Sequence, residues 1–197
     1  MKMDTTNKKR CKWCGNNPLY IKYHDEEWGV PLYDDKKIFE ALLLETFQAG
    51  LSWITILRKR ENFRKAFSNF DYKKISNYSN QKLEKLKLNR GIVRNSLKIT
   101  ATKTNAIAFI KVQDQFGSFS KYIWGFVNGK PIQNNFISER ELPINTKLSD
   151  EISIDFKKRG FKFVGKNIIY AYMQAIGIVN DHTTNCFRHK EVTISNT

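Results

Sequence analysis

Apolar residues in this chain recur at helical spacing almost throughout and at strand spacing almost nowhere, which points to an all-α fold. Asp34 or Asp35 is placed to cap a helix carrying Ile38, Phe39, Leu42, Leu43 and Ala49 and ending at Gly50. Ser52 can cap the next helix, which holds Ile54, Leu57, Phe63 and Phe67. Asp71 and Ser79 start two short helices, the second with Leu83 and Leu86, and Gly91 breaks the pattern. A long helix then runs through Leu97, Ala101, Ala108 and Ile110. Ser118 to Asn128 is a short amphipathic piece, followed by the turn Asn128-Gly129-Lys130-Pro131 and a loop over 130–147. Ser149 opens a helix that stops at Gly160, and a last helix spans about Lys166 to Ile176. Residues 1–9 and 190–197 are expected to be flexible tails.

At 197 residues the chain suits a single domain over 1–197, in one body or two helical lobes. The first ten residues are polar, and no run approaches a membrane span, so we expect no membrane association and a cytoplasmic location. Thirty-four Lys and Arg against 19 Asp and Glu give a net charge of +15, which suits a polyanion such as nucleic acid or simply a solvated basic surface. With an odd three cysteines and no secretory segment, metal binding or inert burial is a better expectation than disulfides.

The three Cys and three His cluster at the two ends. Cys11, Cys14 and His24 lie near the start, and His182, Cys186 and His189 near the finish. Zinc takes four tetrahedral N and S ligands, and the x3 spacing of His182 and Cys186 lets both reach one ion. A set of Cys11, His24, His182 and Cys186 would tie the ends together as a structural site, with Cys14 a rival through Cys11-x2-Cys14. Spacing equally allows that these are small buried cysteines.

A second constellation surrounds one acid. Trp13, Tyr20, Tyr23, Trp28, Tyr33 and Trp53 fall within one segment, and aromatic faces can stack on a nucleobase as well as fill a core. Ile38, Leu42, Glu45 and Ala49 share a helix face, so Glu45 sits in an apolar stripe. A carboxylate there is either paired, with Lys37 or Arg58 in reach, or functional. Two basic turns, around Asn89-Arg90-Gly91-Ile92-Val93-Arg94 and Lys157-Lys158-Arg159-Gly160, could present backbone N–H groups to phosphate or be plain connections.

Several long ordered stretches then carry a resemblance. They are Pro18-Leu19-Tyr20-Ile21 with Tyr23-His24-Asp25, Glu27-Trp28-Gly29-Val30-Pro31, Gln48-Ala49-Gly50-Leu51-Ser52-Trp53-Ile54-Thr55, Lys59-Arg60-Glu61-Asn62, Lys158 to Gly165, and Val179-Asn180-Asp181-His182. From about Arg10 to Cys186 the chain resembles the bacterial 3-methyladenine DNA glycosylase I family. The resemblance implies a helix-hairpin-helix glycosylase fold and a structural zinc on Cys11, His24, His182 and Cys186. It implies Glu45 as the catalytic, base-contacting carboxylate, with Trp13, Tyr20, Tyr23 and Trp53 around the base. It further implies a monofunctional monomer in base excision repair, which flips 3-methyladenine out of double-stranded alkylated DNA and hydrolyses its bond to the sugar. Leu51 would then be a wedge in the gap left by the base, and Gly91 and Arg94 would grip the DNA backbone. Cys14 is an extra cysteine beside the implied metal site. No Asp is nominated to activate water, because the family lacks the catalytic Asp of related helix-hairpin-helix glycosylases. The rival is a zinc-stabilised DNA-binding module without catalysis, which leaves Glu45 in its apolar stripe unexplained. An RNA-binding accessory protein is weaker still, for want of any RNA-motif signature.

Overall fold

A computed structural model of the chain describes residues 8–48 and 50–194; Ala49 and the expected tail residues 1–7 and 195–197 lie outside the described residues. The described residues are helical nearly throughout, as the spacing predicts. Helix α2 (Asp35–Gln48) is central, packing against α3 (Trp53–Ala66), α6 (Ser96–Phe116), α7 (Phe119–Gly125) and α9 (Lys166–Ala175). Its Ile38, Phe39, Leu42 and Phe47 are fully buried. Side chains of this size contribute about 1.5–3 kcal/mol each on burial. Phe109 and Phe119 stack at 4.0 Å, joining α6 to α7 in the same core.

Local chemistry sets the element ends. Asp34 caps α2 by accepting from Lys37 N at 2.9 Å. Asp35 reaches away instead, accepting from the backbone N–H groups of Phe119 and Ser120 at 2.9 and 2.7 Å and so capping α7. Asp71 and Ser79 cap α4 (Tyr72–Ser76) and α5 (Asn80–Lys87) as expected. Ser52 precedes α3, but its hydroxyl pairs with Thr55 Oγ1 rather than with a backbone N–H. Ser149 does not open its helix: α8 (Lys147–Lys158) begins two residues earlier, with Thr146 and Ser149 forming a reciprocal capping box.

Two helices escape the aliphatic pattern. Helix α1 (Pro18–Glu26) is capped by Asn17 with Pro18 at its first position, and its buried face is Tyr23 and His24 rather than Leu or Ile. Helix α10 (Phe187–Ile194) runs into the expected tail, covering 190–194, and is anchored where Phe187 N donates to Lys9 O at 2.9 Å. Lys8 lies over the Phe187 ring at 4.4 Å, so residues 8 and 9 are also held. The 130–147 segment is not all loop. Strand β1 (Ile132–Gln133) pairs in parallel with β2 (Val179–Asn180), and a 3-10 turn follows at Glu139–Glu141.

Helices α5 and α6 are joined by the turn 88–95. Gly91 is needed there because a Cβ would come within 3.2 Å of Asn62 on α3. Lys59 of α3 donates to the carbonyls of Arg90 and Gly91, both at 3.4 Å, fixing the turn on the helix below. Arg90 and Arg94 are exposed on it. No helix among the described residues is long and apolar enough to cross a membrane.

Candidate functional site

A cavity of about 200 Å³ lies between α1, α2, α3 and α9, lined by Trp13, Tyr20, Tyr23, Trp28 and Trp53 with Glu45, Gln48, Leu142, Ala171 and Gln174. At a liquid share of about 30 Å³ per water, it has room for one small ring system and little else. Trp13 packs on Tyr20 and on Trp28, each at 4.9 Å between ring centres, and Tyr23 packs on Trp53 at 5.2 Å. The nominated aromatics Trp13, Tyr20, Tyr23 and Trp53 thus share one wall system. Tyr33 does not belong to it: that ring is 56% exposed and rests on Trp124 instead.

Glu45 is 4% exposed and sits on the cavity wall among these rings. Its Oε2 is buried without a hydrogen-bond partner, as are the indole N–H groups of Trp13 and Trp53. Among the described residues no cation pairs with it, so neither Lys37 nor Arg58 neutralises the acid. Burial pushes its carboxyl up to about 8. Burial also raises the Tyr23 hydroxyl well above its ordinary value, with the facing Glu45 adding to the shift. Three buried polar atoms left unsatisfied around one small cavity are uncommon in a finished core, where nearly all such atoms are paired. Their lack of partners marks a place prepared for a polar, flat ligand that can occupy them.

At the C-terminal end of α2, the buried Lys98 donates to Phe47 O at 3.3 Å. Loss of hydration lowers its pKa. A cation at this end satisfies a free carbonyl and complements the helix dipole. Leu51 follows in the α2–α3 connection, 40% exposed. It is not buried core. Gly91 and Arg94 lie in a different element, the α5–α6 turn, and do not line the cavity.

Directly behind the aromatic wall are Cys11, His24, His182 and Cys186, all buried, with their ligand atoms within 4.8 Å of one another. Cys186 Sγ lies 3.5 Å from His24 Nε2 and 3.6 Å from His182 Nδ1, and Cys11 Sγ lies 3.7 Å from His182 Nδ1. This set could hold a metal ion. Cys14 is not part of it: its thiol turns away and donates to Cys11 O at 3.1 Å. His189 is elsewhere too, its Nε2 against Asn134 O at 2.8 Å.

Each histidine has its other nitrogen engaged. His24 Nδ1 meets Asp25 Oδ1 at 2.8 Å, and His182 Nε2 meets Trp28 O at 3.0 Å. These partners accept, so they fix the tautomers that leave His24 Nε2 and His182 Nδ1 as lone-pair donors. Against the upward push of burial, hydrogen bonds from Arg10 and His24 hold Asp25 below the usual carboxylate range. A hydrogen bond from Cys11, helped by His182 and His24, favours the Cys186 thiolate, while the same bond and burial raise Cys11. Gly29 has φ +76°, and a Cβ there would lie 3.2 Å from the His182 ring, so only glycine allows this approach. Trp13 and His24 are 5.3 Å apart and Trp28 and His182 4.7 Å apart, so the cluster buttresses the pocket wall.

The sequence patterns nominate neither Gln48, Leu142, Ala171 nor Gln174 for the cavity. Trp28 stands among the candidate aromatics but not among those the resemblance puts around the base. Gln48 follows Glu45 by three helical positions, which is a usable signal. The rest come from distant segments that only the fold brings together.

A family model described as methyladenine glycosylase matches residues 13–189. DNA-3-methyladenine glycosylase 1 of Escherichia coli (strain K12) is 47% identical over 178 residues, covering 90% of this chain and 95% of that protein. A crystal structure of a 3-methyladenine DNA glycosylase I matches with a TM-score of 0.87 at 48% identity, covering 91% of this chain and 98% of that one. The Staphylococcus aureus 3-methyladenine DNA glycosylase I, solved for the structural basis of 3-methyladenine recognition, matches with a TM-score of 0.88 at 35% identity over 90% of this chain and 95% of that one.

Proposed function

This chain belongs to the methyladenine glycosylase family, and we infer that it is a DNA repair glycosylase that removes 3-methyladenine from alkylated DNA. The observation that carries the reading to this pocket is the buried, unpartnered Glu45 among stacking aromatics. A base inside a duplex is out of reach, so the damaged nucleotide is turned out of the stack into the cavity. Adenine methylated at N3 is cationic while joined to its sugar and neutral once released. The leaving group is therefore already good, and the protein's task is to select the cation, hold it and admit water to the sugar carbon.

Glu45 and the rings suit that task. In the empty cavity the Glu45 carboxyl, raised to about 8, keeps its proton at neutral pH. A cationic base stabilises the carboxylate by charge pairing, and the faces of Trp13, Tyr23 and Trp53 add cation–π attraction. Unmodified adenine is neutral and offers no comparable return for ionising a buried acid. Selectivity is then a property of charge as much as of shape.

Zinc is the metal that best suits the cluster. With Zn–S of about 2.3 Å and Zn–N of about 2.0–2.1 Å, a tetrahedral site has S···N edges of about 3.6 Å. Three of the four S···N separations, 3.5, 3.6 and 3.7 Å, agree with that value, and all four ligand atoms lie within 4.8 Å of one another. Bound on Cys11, His24, His182 and Cys186, zinc supplies a cross-link with no open coordination position. These residues then hold Trp13 and Trp28 in place and take no part in the reaction.

The α5–α6 pair reads as the helix-hairpin-helix element. Its turn, through Gly91 and Arg94, grips the backbone of double-stranded DNA without reading sequence, consistent with a charge of +15. Leu51, exposed beside the cavity, fills the gap left by the flipped base. All these groups come from one chain, which supports action as a monomer, and a DNA substrate supports a cytoplasmic location. Chromatography of bases released from methylated duplex DNA tests the reading. Free 3-methyladenine is the expected product, and binding without release would leave only a DNA-binding module.

A further inference from the structure

Resting on that reading, we infer that Gln174 is a second base-reading residue, a hydrogen-bond acceptor whose orientation is set by Asp181. Gln174 lies on α9 and lines the cavity on which Glu45 also sits. Its Nε2 donates to Asp181 Oδ2 at 2.7 Å. Asp181 is buried and also takes a hydrogen bond from Tyr170 OH on Oδ2 at 2.7 Å and from Asn134 Nδ2 on Oδ1 at 2.6 Å. Asn134 follows the β1 strand and Asp181 follows β2, so the parallel pairing of these strands builds the anchor.

A carboxylate can only accept, so it dictates which end of the carboxamide faces it. The NH2 end must turn to Asp181, and the carbonyl oxygen is left for the cavity. Among the described residues no donor occupies Gln174 Oε1. Beside the unpaired indole N–H groups of Trp13 and Trp53, the cavity thus carries two oxygen acceptors, one on the Glu45 carboxyl and the other the Gln174 carbonyl. A purine with an amino group at C6 brings a donor to meet an acceptor. A purine with a carbonyl at that position brings an acceptor, and its oxygen would face Gln174 Oε1 with both left unpaired. Sites that place buried polar groups in this way reject the mismatched analogue far more strongly than apolar pockets do. Gln174 is therefore a specificity-determining residue for the amino-bearing edge, and Asp181 a positioning residue that stops the amide from turning over.

The test measures binding of free 3-methyladenine and free 3-methylhypoxanthine, which carries a carbonyl in place of the C6 amino group, to wild type, Gln174→Met and Asp181→Asn, all checked for folding and metal content. Wild type should prefer 3-methyladenine. Gln174→Met keeps the length and removes the acceptor, so its affinity for 3-methyladenine should fall about tenfold. Its preference over 3-methylhypoxanthine should shrink by a similar factor. Asn at 181 can present its own NH2 and let the Gln174 amide reverse, so discrimination should narrow there too, with retained folding and metal. An unchanged preference in both variants overturns the inference while leaving the parent reading intact. A wild type that binds neither base and releases none from DNA overturns the parent reading, and this inference with it.

Discussion

Replacing Glu45 with Gln should make the protein more stable and less able to hold its base. The carboxyl is ordinarily near 4.5 and stands at about 8 in the folded chain, through burial alone. Native protein therefore binds a proton between those limits that unfolded chain has released, and stability falls as pH rises from 4.5 towards 8. At pH 7 the span from 4.5, at about 1.4 kcal/mol per pH unit, gives an upper figure of about 3 kcal/mol. Gln occupies the same space with the same lack of partners but carries no charge to desolvate. For a chain of this length about 3 kcal/mol corresponds to a rise in Tm of up to about 10 °C.

Against this gain, Gln cannot pair with a cation. Loss of a charge-assisted contact in a dry pocket costs about 1.5–3 kcal/mol, or roughly tenfold to a hundredfold in affinity. One acceptor remains, so binding of duplex carrying the cationic methylated nucleotide, and release of its base, should be weakened rather than abolished, with binding to undamaged duplex unchanged. Urea unfolding of both proteins at pH 4.5, 7 and 8.5 reads the first effect, and binding to alkylated duplex with release of its base reads the second. A stability difference that does not grow with pH would refute the buried-charge reasoning. Equal affinity in the two proteins would refute the base-reading role, leaving Glu45 as an acid tolerated by the core.

Other expectations follow from the same geometry. The kcat/KM for base release should rise with pH towards a midpoint near 8, as Glu45 loses its proton in the free enzyme; a flat profile from pH 6 to 9 would contradict this. Metal analysis should find about one zinc per chain, and Cys186→Ala should lower Tm more than it alters the preference for 3-methyladenine; carefully prepared protein without zinc would end that assignment. Arg94→Ala should weaken binding to all duplex sequences alike and reduce the salt slope by about 1, which a salt-independent affinity would contradict. Leu51→Ala should slow release from duplex by roughly tenfold, for about 1.4 kcal/mol of lost contact, yet spare release from single strands, where there is no gap to fill; equal effects on both would exclude a wedge.

The sequence exposes what is carried by local period and by scarce residue types. The α2 stripe of Ile38, Leu42 and Glu45 is buried as its 4-3 spacing requires, and the four ligand-type residues at the chain ends do meet. What it conceals depends on approach between distant segments. Cys11 and Cys14 are equivalent in spacing, and only the turn of the Cys14 thiol towards Cys11 O separates them. Tyr33 and Trp28 are equally plausible stacking residues in composition. Trp28 faces the cavity because its carbonyl is tied to His182 beside Gly29, whereas Tyr33 has passed beyond that tie and rests on Trp124. Gln174 and Leu142 gain meaning only through the two-residue pairing of β1 with β2, too short to leave an alternating pattern.

The two constellations are energetically one. Glu45, Trp13 and Trp53 each carry a buried polar atom without a protein partner, and such a group costs about 1–3 kcal/mol. The Cys11–His24–His182–Cys186 cluster lies one ring away, through Trp13 on His24 and Trp28 on His182, and it links the two ends of the chain across more than 150 residues. Structural zinc on four such ligands contributes about 10–16 kcal/mol in small domains, well above the strain of three unpartnered atoms. A cross-link placed against the wall can therefore offset that cost and hold the rings in place around the cavity, so that these atoms stay positioned for the base.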